Sequence, residues 1–318
     1  MRPRVRQMDG HGLDRAFLFG TGGMKTRLEA FGWRGPVEPG LGRVVSAHGD
    51  YYHLVCNEAD GEILARAKKS VFAGKATKAR VIGRGTSLEA GVRGETAPVR
   101  PMTGDFVRFA YNAQGDSLIT ELLPRFSKFE RRDPTARRKA QTLAVNFDWL
   151  FIMMSLNENF SVPRVARYLE LAADVGAARV AVVLTKTDLR QPEDAPLIAD
   201  LRETIGDRAA YFEISCLTGE GLAAIRALEQ PGQTLAFVGS SGVGKSTLLN
   251  TLAGEEWAAT GEVQEWSGKG RHTTTSRELA LLPSGALVLD TPGIREIGLV
   301  GEREMRLARG ESTHRRRK

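Results

Sequence analysis

One string constrains this chain more than any other: Gly239-Ser240-Ser241-Gly242-Val243-Gly244-Lys245-Ser246, followed by Thr247. It fits G-x-x-x-x-G-K-[ST], the P-loop pattern. Before it runs Gln233–Val238, apolar and of strand length; after it, Ser246–Leu252 has good helix-forming character. Strand, glycine-rich turn and helix is the setting the motif needs. Glycines let backbone N–H groups curl around a phosphate without a Cβ in the way. The helix N-terminus adds the positive end of its dipole. In this pattern Lys245 reaches the β- and γ-phosphates and Ser246 ligates Mg²⁺.

With 318 residues the chain has room for two or three domains. Its 42% hydrophobic and 26% charged content is that of a globular protein rather than a disordered one. A net charge of +7, from 45 Lys+Arg against 38 Asp+Glu, fits a polyanionic partner such as nucleic acid. The two cysteines, Cys56 and Cys216, build neither a disulfide framework nor a four-ligand zinc site by themselves. No apolar run approaches the about 20 residues of a membrane helix. Met1–Arg6 is basic but lacks the apolar core of a secretory signal. A cytoplasmic location without a membrane partner is expected.

Residues 1–40, glycine-rich with scattered aromatics, read as an extension carrying one short helix. From Leu41 to Leu123 the texture changes to short β-like runs broken by turn signals. These runs are Gly42–Ser46, Tyr51–Cys56, Glu62–Ala67, Asp105–Ala110 and Ser117–Glu121. Five short strands in such a length predict a small β-barrel over 41–123, with an OB-fold as the leading candidate. Between the third and fourth runs lie Lys68, Lys69, Lys75, Lys78, Arg80, Arg84, Arg93 and Arg100. Such a cluster suits tracking a phosphate backbone; the alternative is a solvated loop in a basic protein. The barrel context favours RNA or single-strand binding.

Residues 124–138, rich in arginine and bounded by Pro124 and Pro134, read as a basic linker into a second domain over 139–300. Phe147–Met154 is nearly continuous in apolar residues, as a buried parallel strand is. A helix follows, with Ser161 as N-cap, Pro163 in its first turn and Val165, Leu169 and Ala172 on one face. Arg179–Leu184 is the next strand, and the alternation predicts a mainly parallel sheet flanked by helices.

That strand runs into Thr185-Lys186-Thr187-Asp188, where ligands of open α/β sheets bind. Asp188 can accept both N–H bonds of guanine's pairing edge; adenine offers no such pair, and a buried carboxylate without donors is costly. Lys186 would lay its stem along the base and brace the P-loop. Ser215 would support the base loop, and the Cys216 N–H would meet the guanine oxygen. After the P-loop helix comes Arg271-His272-Thr273-Thr274-Thr275, where Thr274 is placed to complete the Mg²⁺ shell and sense the γ-phosphate. Two strand-like runs, Arg277–Leu282 and Ala286–Leu289, then deliver Asp290-Thr291-Pro292-Gly293. Asp290 would hold Mg²⁺ through water, and the Gly293 N–H would touch the γ-phosphate.

These are the parts of a GTPase in a permuted order, with the base-reading loops ahead of the P-loop. An OB-like barrel followed by a circularly permuted P-loop GTPase domain, with Gly270-Arg271-His272-Thr273-Thr274-Thr275 between its motifs, resembles the RsgA (YjeQ) family of ribosome small subunit-dependent GTPases. The resemblance covers roughly residues 41–297. It implies GTP and GDP as substrate and product, Mg²⁺ as cofactor, and the small (30S) ribosomal subunit with its 16S rRNA as partner late in assembly. It further implies slow hydrolysis that the subunit stimulates, followed by release. A monomer is expected.

Two departures bear on this. The family usually has Asn where this chain has Thr185, whose shorter side chain predicts weaker nucleotide affinity. The family also usually carries a C-terminal zinc segment of three Cys and one His. Residues 294–318 contain no Cys and the single His314, so zinc is expected to be absent. The tail over 301–318 ends in Arg315-Arg316-Arg317-Lys318, either an RNA contact or a solvated basic end. For catalysis, Ile294 follows Gly293 where a glutamine would orient water, which leaves His272 for that role, as the resemblance also implies. A nucleotide-gated RNA-binding protein with little turnover is the competing reading. A P-loop ATPase or kinase is a third, against which Asp188 argues.

Overall fold

The computed structural model describes residues 26–68, 71, 100–131, 141–157, 160–254 and 278–290. The chain divides into two compact units, and it re-enters the first one twice, over Gln230–Gln233 and Glu278–Leu287.

The first unit holds the barrel strands β1 (Leu41–His48), β2 (Tyr51–Cys56), β3 (Ile63–Ala67), β4 (Phe106–Ala110) and β5 (Ser117–Leu122). All five coincide with the runs read from sequence. β1–β2, β2–β3, β4–β5 and β1–β4 pair antiparallel, while β3–β5 pair in parallel, so the barrel closes in the order 1-2-3-5-4. Alternation along β2 sends Tyr52, Leu54 and Cys56 into a core shared with Val44, Ala65, Val107, Phe109 and Ile119. Burial pushes the Cys56 thiol up to about 11, so it packs as a small apolar group. The short helix expected in the extension is α1 (Arg27–Ala30), closed by a reciprocal Thr26–Glu29 capping box.

Three buried charged side chains, Arg43, Asp105 and Arg125, organise this unit. Arg43, 1% exposed, donates to the Phe31 carbonyl at 2.6 Å and lies over the Phe106 ring at 4.7 Å. Arg125 grips Asp105 with both ends of its fork, each bond 2.8 Å long, and the Met102 N–H adds a further bond of 2.8 Å to the same carboxylate. A later strand, β12 (Glu278–Leu281), also belongs to this unit and pairs antiparallel with β1 through Ser46 and Glu278.

The second unit opens with β6 (Lys128–Arg131) and β7 (Gln141–Val145), an antiparallel pair. β6 falls inside the stretch expected as a linker. Its core then follows the predicted alternation. β8 (Trp149–Ser155), α2 (Val162–Leu171), β9 (Arg179–Thr185), α3 (Ala195–Ile205), β10 (Ala210–Glu213), α4 (Leu222–Arg226), β11 (Thr234–Val238) and α5 (Lys245–Ala253) come in turn. β13 (Leu287–Asp290) is the last described strand. β10, β9, β8 and β11 are parallel neighbours in that order, and β13 lies on the far side of β11. Every residue of β8 and of β11 is buried, which accounts for their unbroken apolar character. Ser161 caps α2 by accepting from the Arg164 N–H, and α2 buries Val162, Val165, Tyr168 and Leu169. Register is pinned where β8 and β11 start: the Asp148 carboxylate accepts from the Thr234 N–H at 2.8 Å, and the Asp148 N–H returns a bond to the Thr234 carbonyl at 2.8 Å.

Candidate nucleotide-binding site

The parallel registers bring the carboxyl ends of β8, β9, β10 and β11 to one edge of the sheet. Ser155 faces Thr185, Leu184 faces Glu213, and Ile152 faces Val238. Residues 239–244 leave β11 at that edge and hand the chain to α5. A Cβ at Gly239 would lie 2.7 Å from the Met153 carbonyl oxygen, so the turn off β11 passes β8 too closely for any other residue. Gly244 enters α5 with φ of 93°, a left-handed conformation that glycine takes without strain. Between them Val243 is buried and anchors the loop, while Ser241 and Gly242 are exposed at its tip. Ser240, Lys245 and Ser246 are half-buried, and Thr247 is exposed on the first turn of α5. The Lys245 ammonium folds across the loop and donates to the carbonyls of Gly239 at 2.7 Å and Ser240 at 2.8 Å. The Lys245 cation thus lies across the loop that leads into a helix start, the combination that suits a phosphate.

The two base-loop segments meet beside it. Lys186 takes a left-handed conformation, φ 60°, and turns the chain off β9 into the short helical turn Thr187–Leu189. Asp188 is exposed, and its Oδ1 accepts from the Ser215 hydroxyl at 2.5 Å. The same hydroxyl oxygen accepts from the N–H groups of Leu217 and Thr218, each at 3.2 Å. Ser215 is fully buried. It therefore fixes both its own loop and the direction of the Asp188 carboxylate. Thr187 donates its N–H to the Ile214 carbonyl at 3.3 Å; its hydroxyl is buried and has no hydrogen-bond partner among the described residues. Burial pushes the Cys216 thiol up, a hydrogen bond with Thr251 of α5 works against that, and the charge of Asp188 adds to the rise. Cys216 is therefore a neutral thiol at physiological pH, seated between the base loop and the P-loop helix.

A contact that the sequence did not reveal ties the two halves together. The Thr185 hydroxyl, 3% exposed, donates to the P-loop carbonyl of Val243 at 2.7 Å, with a longer contact of 3.3 Å to the Met154 carbonyl. Threonine's short side chain does reach the P-loop. Thr185→Val keeps the shape and removes the donor, leaving a buried carbonyl with its bond unmade, a loss of about 1–3 kcal/mol. The variant is expected to release GDP about tenfold faster, with Thr185→Ser close to wild type; equal dissociation rates for all three proteins would show that the bond contributes nothing to the site.

The structure thus gathers Thr185, Lys186, Thr187, Asp188, Ser215 and Cys216 with the P-loop from Gly239 to Thr247. β13, next to β11, brings the backbone of Asp290 toward the same assembly. His272, Thr274 and Gly293 lie outside the described residues, as do Lys69, Lys75, Lys78, Arg80 and Arg84. Lys68 is exposed at the end of β3 in the barrel unit, its N–H bonded to the Ile119 carbonyl at 2.9 Å.

The family model for the RsgA GTPase matches residues 122–300, more than half of the sequence and every described part of this site. The chain belongs to the RsgA GTPase family. It is a circularly permuted GTPase of ribosome biogenesis, as the motif order implied. Among similar proteins is the small ribosomal subunit biogenesis GTPase RsgA of Leptospira interrogans, 35% identical over 285 residues that span 86% of this chain and 72% of that protein. The small ribosomal subunit biogenesis GTPase RsgA 2 of Lactiplantibacillus plantarum is 39% identical over 259 residues, 81% of this chain and 66% of its own length. The crystal structure of YjeQ from Thermotoga maritima shares the fold, with a TM-score of 0.54 at 22% identity over 81% of this chain and 77% of that one. Among the described residues no helix is long and apolar enough to cross a membrane.

Proposed function

We propose that this RsgA family member binds the small (30S) ribosomal subunit in its GTP state late in maturation and leaves when GTP is hydrolysed. One observation carries the nucleotide part: the Asp188–Ser215 and Thr185–Val243 hydrogen bonds make a guanine-reading carboxylate and a phosphate loop one connected site. Asp188 takes guanine's pairing edge, Lys186 lies along the ring, and the Cys216 N–H meets the guanine oxygen. Gly239 to Thr247 wrap the phosphates, and Lys245 releases its loop carbonyls to follow the β- and γ-oxygens. His272 positions the attacking water for in-line displacement, and Gly293 contacts the γ-phosphate.

Mg²⁺ suits this donor set, since Ser246, Thr274 and Asp290 offer hydroxyl and carboxylate oxygens, the ligands a hard cation takes, and Ser246 stands half-buried beside Lys245. When bound, the ion neutralises charge on the β- and γ-oxygens. The basic residues Lys68, Lys69, Lys75, Lys78, Arg80 and Arg84 contact 16S rRNA from the barrel, in keeping with the net charge of +7. The protein acts as a monomer in the cytoplasm.

The deciding experiment is GTP turnover by the purified protein, alone and with small subunits, with ATP as control and His272→Ala alongside. Expected is stimulation by the subunit, specific to GTP, that the variant loses while keeping GTP binding. GTP binding without stimulation would replace this reading with a nucleotide-gated RNA-binding protein of little turnover. Unchanged turnover in the variant would remove His272 from the mechanism.

A further inference from the structure

One carboxylate stands where the two base-loop segments leave the sheet. Glu213 is the last residue of β10, two before Ser215, and it pairs with Leu184 near the end of β9. Arg190, two after Asp188, donates from its guanidinium to one Glu213 oxygen. Arg202, in the last turn of α3, donates to the other oxygen at 2.6 Å, and the Tyr211 hydroxyl donates to it at 3.0 Å. The Arg202 guanidinium also lies 5.2 Å from the centre of the Tyr211 ring. Burial works against ionising Glu213, but the bonds from Arg202, Arg190 and Tyr211 outweigh it and hold its carboxyl below the usual range.

A lone ion pair at a surface contributes little. This one differs, because three donors share a single carboxylate and fix one another. It also closes a ring: from Asp188 along the chain to Arg190, across to Glu213, on to Ser215, and back through the Ser215 hydroxyl to Asp188. The Thr187 N–H bond to the Ile214 carbonyl, at 3.3 Å, joins the same two segments. We infer that Glu213 is a positioning residue for base recognition: by holding Arg190 it fixes the turn that carries Asp188, and so sets how well that carboxylate meets both N–H groups of guanine. This rests on the guanine-site reading above. Glu213 acts through Asp188 and needs no contact of its own with the nucleotide.

The test uses the full chain and three ligands, GDP, inosine diphosphate and inorganic tripolyphosphate, titrated calorimetrically. Inosine diphosphate lacks guanine's exocyclic amine, so it offers Asp188 one bond where GDP offers two. Glu213→Gln is expected to weaken GDP about fivefold and to leave tripolyphosphate affinity unchanged. It should also narrow the preference for GDP over inosine diphosphate by at least about twofold. Arg190→Gln should do the same, and the double variant should lose no more than either single one. Arg190→Lys, which keeps a cation for the one oxygen, should recover most of the GDP affinity. A preference that stays at the wild-type ratio in both glutamine variants overturns the inference, even where the melting temperature falls, because such a bond supports the fold alone. Equal weakening of GDP and tripolyphosphate also overturns it, since the damage then reaches the P-loop. Additive losses in the double variant overturn it as well, because the two side chains then act separately. Wild type that binds tripolyphosphate without preferring GDP over inosine diphosphate is a different result: it defeats the guanine-site reading, and this inference with it.

Discussion

Lys245→Ala is expected to lower GTP turnover by about 100- to 1,000-fold, the range typical of removing one group that stabilises transition-state charge. The fold should survive, because Lys245 is half-buried on the first turn of α5 and donates to loop carbonyls, those of Gly239 and Ser240. The change in melting temperature of the ligand-free variant should accordingly be small. Lys245→Arg is not expected to rescue turnover: a planar fork does not replace a compact point charge in so tight a loop. Single-turnover hydrolysis at saturating GTP is the measurement. A variant that hydrolyses within about tenfold of wild type would take Lys245 out of charge stabilisation.

Arg125→Met should destabilise the barrel unit by about 3–5 kcal/mol, since it strands the Asp105 carboxylate in the interior without its counter-ion. The side chains of Arg125 and Asp105 are 8% and 0% exposed, so water cannot take over. The expected readout is amide exchange in β1 and β4 accelerated by about 100-fold or more, with the amides of β8 and β11 unaffected. Replacing both partners, as Asp105→Leu with Arg125→Met, should recover most of the loss, because a desolvated pair is often no better than an apolar one. If the single variant exchanged at the wild-type rate, the pair would be carrying no stability.

Much of this was readable because the relevant signals are local. The barrel strands announce themselves by alternation, as in Tyr52, Leu54 and Cys56, and the turn residues between them set their limits. The nucleotide motifs are contiguous strings, and their order alone implied the permutation. What stayed hidden depends on partners distant in sequence. Lys128–Arg131 gave no clear strand signal, being four residues, three of them charged, in an arginine-rich stretch, and only its pairing with Gln141–Val145 makes it β6. The parallel closure of β3 on β5 likewise has no local mark. The Thr185–Val243 bond joins positions 58 residues apart, so the sequence showed a shortened side chain but not the carbonyl it reaches.

Permutation also changes the history of the sheet during translation. β8, β9 and β10 leave the ribosome well before β11, yet β11 is the neighbour that covers one side of β8. All seven residues of β8 are buried in the finished domain. In the nascent chain that strand waits as an apolar edge with its hydrogen-bonding groups unpaired, the kind of edge that pairs with other chains. In the usual order the P-loop strand is made first and meets its neighbours as they emerge. Here, a pause between the emergence of β9 and that of β11 would prolong the open edge, whereas a pause after β11 has emerged would find it closed.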